Sequence, residues 1–150
     1  MWNRTGVRSR LHGASAGLLV TLLVLALVTA VPKVTAGSAE ADIRDTILRQ
    51  IEAFATDDHQ RAWDIASEGI QRRFGTSEVF LSMVEQAYPA IHRATAIEFR
   101  EYVPHGYFDI QVVRLTGPQG ARWNAYYRMV EEDGQWRIAG VRVQKADTGI

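Results

Sequence analysis

The hydrophobic period changes once along this chain, near Ala94, from a helical repeat to strict alternation, and few folds accommodate helices followed by a run of strands. Upstream, ADIRDTILRQIEAFAT places Ile43, Ile47, Leu48, Ile51, Phe54 and Ala55 at helical spacing. Arg44, Asp45, Arg49 and Glu52 fall opposite, with Asp45 and Arg49 as a favourable i,i+4 pair. A second, shorter helix is expected in DHQRAWDIASEGI. A third, TSEVFLSMVEQAYP, carries Val79, Phe80, Met83, Val84, Ala87 and Tyr88 on one stripe, opens at Thr76 or Ser77 and stops at Pro89. That stripe should pack on a sheet.

Downstream, RATAIEFREYV alternates Ile97, Phe99 and Glu101 against Ala96, Glu98 and Arg100. PHG turns the chain into YFDIQVVRL, TGPQG into ARWNAYYRMVEE, and DG into QWRIAGVRVQ. The expected fold is therefore α+β: three N-terminal helices on a curved, four-stranded antiparallel meander. Gly140 interrupts the alternation between Ile138 and Val141 and marks a bulge that would curve the sheet.

The N-terminus reads as an export signal. Arg4, Arg8 and Arg10 precede LLVTLLVLALVTAV at residues 18–31, and Val34 and Ala36 stand where a signal peptidase reads, so cleavage is expected after Ala36. The alternative is a retained membrane anchor, since residues 13–32 are uncharged and a span needs about 20 apolar residues. Residues 37–41 would then form a short exposed start, 42–145 a single domain and 146–150 a tail.

The chain has 17 basic and 17 acidic residues. Loss of Arg4, Arg8, Arg10 and Lys33 would leave 13 against 17, a net charge of −4 that offers no general field for nucleic acid. Arg72-Arg73 is read as a solvated helix end. With no cysteine, disulfides, thiolate chemistry and cysteine zinc sites are excluded.

IEAFATDDHQRAWDIAS followed by EEDGQWRIAGVRV is similar to the helix-corner-helix opening and closing strand of the cone-shaped domains related to nuclear transport factor 2, a group that includes ketosteroid isomerases and polyketide cyclases. Together with IQRRFGTSEVFLSMVEQAYPAI and WNAYYRMVEEDGQWRIAGVRV, the pattern resembles the bacterial family catalogued as domain of unknown function 4864, across residues 43–144. The resemblance implies a cavity between the concave sheet face and the helices. It implies no activity, because members of the superfamily use that cavity for catalysis, ligand binding or subunit contact.

In DDHQRAWDIAS, Asp57 is expected to be the N-cap, answered by Gln60 as in a capping box, a role that stabilises a helix by about 1 kcal/mol and needs no chemistry. No metal is expected here, because the residues four beyond Asp58 and His59 are Ala62 and Trp63. Expected pocket-lining residues are Tyr88, His92, Trp123 and Tyr127, with Trp123, Ala125, Tyr127 and Met129 facing inward from the third strand.

The leading functional reading is a non-catalytic module for a small apolar or aromatic ligand, or for assembly, without a cofactor and with the outer sheet face available to a homodimer. A rival is an acid/base enzyme that would use Asp58, His59 or His92 as base and Tyr88 as donor. A third is a purely structural domain whose core is filled by Phe54, Trp63, Phe80, Met83, Phe99 and Trp136. There is no catalytic triad order, phosphate loop or HExxH.

Overall fold

In the computed structural model, which describes residues 36–146, the change of period marks the boundary between a helical layer and a sheet. Helix α1 (Ala36–Ala55) is followed by α2 (His59–Ile65), α3 (Glu68–Phe74), α4 (Ser77–Ala87) and the single turn α5 (Pro89–His92). Strands β1 (Ala96–Pro104), β2 (Asp109–Thr116), β3 (Arg122–Glu132) and β4 (Gln135–Lys145) form one antiparallel sheet in chain order. Residues 1–35 of the expected signal lie outside the described residues; the expected cleavage point, after Ala36, falls at the first residue of α1. Among the described residues, no helix is long and apolar enough to cross a membrane.

The expected exposed start at residues 37–41 is instead part of α1, and Ala39 is buried there. Ala146, expected in the tail, is buried too, and its N–H donates to the Arg122 carbonyl at 2.9 Å. Helix α1 lies against β1, β2 and β4 and buries Ile43, Ile47, Ile51 and Phe54. Leu48 and Ala55 face outward; the polar Thr46 and Gln50 take places on the inner face. Asp45 pairs with Arg49 at 2.9 Å, as expected.

The α1–α2 corner reassigns the two aspartates. Asp57 has φ 55°, its N–H donates to the Phe54 carbonyl, and the Asp58 N–H reaches back to the Ala53 carbonyl at 2.8 Å. These are the two bonds that close a helix around a left-handed residue, a conformation aspartate tolerates better than most. Asp57 therefore ends α1 and cannot cap α2. The N-cap is Asp58, whose Oδ1 accepts from the Arg61 N–H at 3.1 Å. Gln60 closes no capping box; its amide donates to Asp64 at 2.7 Å. Asp58→Ala should cost about 1 kcal/mol of stability, read as a lowered urea midpoint. An unchanged midpoint would count against this assignment.

The second expected helix divides because its middle binds the sheet. The Ser67 N–H donates to the Ile138 carbonyl at 2.9 Å instead of continuing the helical ladder, and the Ser67 hydroxyl caps α3. Ile138 belongs to the bulge announced by Gly140: Met129 pairs with Ile138 and Arg128 with Gly140, leaving Ala139 over. A second irregularity, between Phe99 and Tyr102 in β1, was not legible. It ends the expected alternation at Glu101 and brings Tyr102 opposite Gln111. There the buried Gln111 amide donates to the Arg100 and Glu101 carbonyls at 3.1 and 3.3 Å.

The third expected stripe is rotated. Phe80, Leu81 and Val84 are buried on α4, whereas Val79 is 53% exposed. Helix α4 makes its main contacts with α2, α3 and α5 rather than with the sheet. Pro89 ends α4 and, having no N–H to satisfy, starts α5.

Candidate functional site

Because α4 rests on other helices, space remains between it and the sheet. A cavity of about 270 Å³ lies there, bounded by Gln50 and Phe54 of α1, Phe80 and Val84 of α4, Tyr127 of β3 and the β4 bulge at residues 138–141. The bulge bends the strand at the cavity wall. Exposed Arg73, with its guanidinium 5.6 Å from the centre of the Phe74 ring, stands at the mouth with Phe74.

The lining is mostly apolar, and its polar side chains are Gln50, Arg73, Tyr88 and Tyr127. The Gln50 amide is tethered to the Ala62 carbonyl at 3.3 Å. Tyr127 is 1% exposed, and its hydroxyl has no hydrogen-bond partner. Burial pushes its pKa up, so the phenol keeps its proton and remains a donor. Such a site can orient a hydrogen-bond acceptor on an apolar body. No carboxylate or imidazole lines it among the described residues.

Of the four expected lining residues, Tyr88 and Tyr127 are on the wall. Ala125, Tyr127 and Met129 are buried on the inner face of β3. Trp123 shares that face but lies beside Gly117, beyond the cavity. His92 is buried behind the wall, one residue past the lining residue Ile91. Asp58 caps α2, and half-buried His59 begins that helix; neither reaches the cavity. Gln50 was missed, although a polar residue at helical spacing between Ile47 and Phe54 was a usable signal. Arg73 carried no such signal.

His92 has surroundings of its own. Its Nε2 lies 3.4 Å from Glu85 Oε1 and 3.9 Å from Asp57 Oδ1, yet it makes no hydrogen bond. Arg93 donates to Asp57 Oδ1 at 2.8 Å and to the Phe54 carbonyl at 2.6 Å. That bond from Arg93 holds the Asp57 carboxyl below its ordinary pKa. Burial, followed by the charge of Arg93, lowers the His92 pKa; Glu85 and Asp57 oppose the shift and His59 adds to it. A histidine with a depressed folded-state pKa favours the unfolded chain as it becomes protonated. Stability from this source should fall as pH drops below about 6.5 and continue falling until the folded pKa is passed. Thermal midpoints of wild type and His92→Gln across that window test this, the variant having the flatter profile; parallel profiles would refute it.

Residues 36–149 match the family model described as a domain of unknown function, DUF4864. An NTF-2 like protein of unknown function from Silicibacter pomeroyi DSS-3 superposes with a TM-score of 0.54 at 16% identity, over 75% of this chain and 99% of that one. Another NTF-2 like protein of unknown function, from Burkholderia xenovorans LB400, has a TM-score of 0.47 at 15% identity, over 74% of this chain and 88% of that one. No curated protein matches the chain.

Proposed function

The chain belongs to the DUF4864 family and has the NTF2-like α+β fold, and from this premise we propose that it is a non-catalytic module holding one small, largely apolar ligand between α4 and the sheet. The observation that carries the reading is the buried, unpartnered hydroxyl of Tyr127 on the wall of a cavity. Leaving such a group unsatisfied costs about 1–3 kcal/mol, a penalty that a ligand acceptor would remove. A cavity of about 270 Å³ exceeds the roughly 150 Å³ that admits benzene, so one or two rings match its size. Arg73 at the mouth favours a ligand whose exposed end is anionic.

The acid/base reading needs Asp58, His59 or His92 at the reacting centre, and these three lie outside the lining. The filled-core reading does not account for the space beside Phe54 and Phe80. The test is calorimetric titration with one- and two-ring aromatic alcohols and carboxylates. Saturable binding of one molecule per chain is expected, abolished by Met83→Trp, which fills the half-buried edge of the site. Absence of binding across the series, or binding indifferent to Met83→Trp, would overturn the proposal.

A further inference from the structure

The corner behind the cavity presents three potential ligand atoms from three separate segments: Asp57 after α1, Glu85 on α4 and His92 on α5. These atoms lie within 4.8 Å of one another. His92 is 7% exposed, and its unpartnered Nε2 is aimed between the two carboxylates. A buried ring nitrogen that reaches two acidic groups without bonding either is expensive to maintain, and a cation among the three would use all of them. From this geometry we propose that Asp57, Glu85 and His92 bind a divalent transition cation of the zinc class.

Spacing and ligand chemistry both support the assignment. Ligand atoms about 2.1 Å from a tetrahedral ion stand about 3.4 Å apart. The His92–Glu85 separation is 3.4 Å, and the His92–Asp57 separation of 3.9 Å is wider by about the adjustment an exposed carboxylate can make. One imidazole with two carboxylates selects zinc-like ions over magnesium or calcium, which prefer all-oxygen sets. Three protein ligands leave a fourth position for water.

Arg93 is the competing cation. It occupies Asp57 Oδ1, the oxygen that lies 3.9 Å from His92 Nε2, so an entering cation would share that carboxylate with Arg93 or displace it. Two carboxylates and one guanidinium leave the corner with a net negative charge when His92 is neutral, so a dication still gains on entering. Its effect would be to tie the α1–α2 corner to α4 and α5, the helices that supply Val84, Tyr88 and Ile91 to the cavity wall. The site is separate from the cavity, and either proposal can fail without the other.

The test is a calorimetric titration of the full chain with Zn²⁺, accompanied by ¹⁵N imidazole spectra. One Zn²⁺ per chain is expected, with the Nε2 resonance of His92 moving on saturation. Glu85→Gln and Asp57→Asn, changes on exposed side chains that leave the core intact, should each weaken binding at least about tenfold, as even loss of an outer-shell partner can. His92→Gln should abolish it. Absence of saturable binding would overturn the assignment. So would binding that survives Glu85→Gln and His92→Gln unchanged, because the ion would then be held elsewhere, at His12, His59 or His105.

Discussion

Phe54→Ala should lower the unfolding free energy by about 3–5 kcal/mol, the usual cost of removing a buried aromatic ring. Phe54 is 1% exposed and packs at 6.2 Å, centre to centre, on both Phe80 and His92. It thereby joins α1 to α4 and α5, and its own carbonyl accepts the bond from Arg93 just beyond α5. Collapse around the deletion cannot be complete, because the ring already borders a cavity and has no neighbour on that side to move in. Domains of this size are stable by only about 5–15 kcal/mol, so the variant should be partly unfolded at modest urea concentrations. A midpoint loss equivalent to less than about 1 kcal/mol would mean that Phe54 does not join these helices.

Tyr127→Phe should act in the opposite sense, stabilising the empty protein by about 1–3 kcal/mol. The substitution keeps the ring and removes only a buried hydroxyl that bonds nothing. For a chain of this size the thermal midpoint should rise by about 4 °C for each kcal/mol gained. Ligand should reverse the order. A bound acceptor engages the wild-type hydroxyl and stabilises the native state by mass action, whereas the variant forfeits that bond. Melting curves of both proteins, with and without a ligand found by titration, therefore cross. A Tyr127→Phe protein that melts lower without ligand would show that the hydroxyl is satisfied within the protein, and the argument for a receptive cavity would lose its main support.

Both predictions concern residues visible before any coordinates. Tyr127 was assigned to the interior by alternation along β3, and Phe54 by helical spacing along α1. The setting of the tyrosine was not visible: no pattern in RWNAYYRMVEE says that its hydroxyl would lack a partner or that α4 would stand away from the sheet. The two aspartates show the same limit over a shorter distance. Composition identified a cap in the pair, but the left-handed turn that closes α1 takes Asp57 and passes the cap to Asp58.

By itself the sequence determined the α+β class, helices before strands, the four-stranded meander and the bulge at Gly140. Each of these follows from burying one face of a local element, and burial of one face leaves a period along the chain. Tertiary structure alone decided that Ser67 would leave its helix for the Ile138 carbonyl, and that α4 would turn Leu81 inward and Val79 out. It also decided that Asp57, Glu85 and His92 would meet. Those outcomes depend on the distance and rotation between elements remote in the chain. Side-chain packing sets both, and a periodicity within one element carries no record of its neighbour's angle.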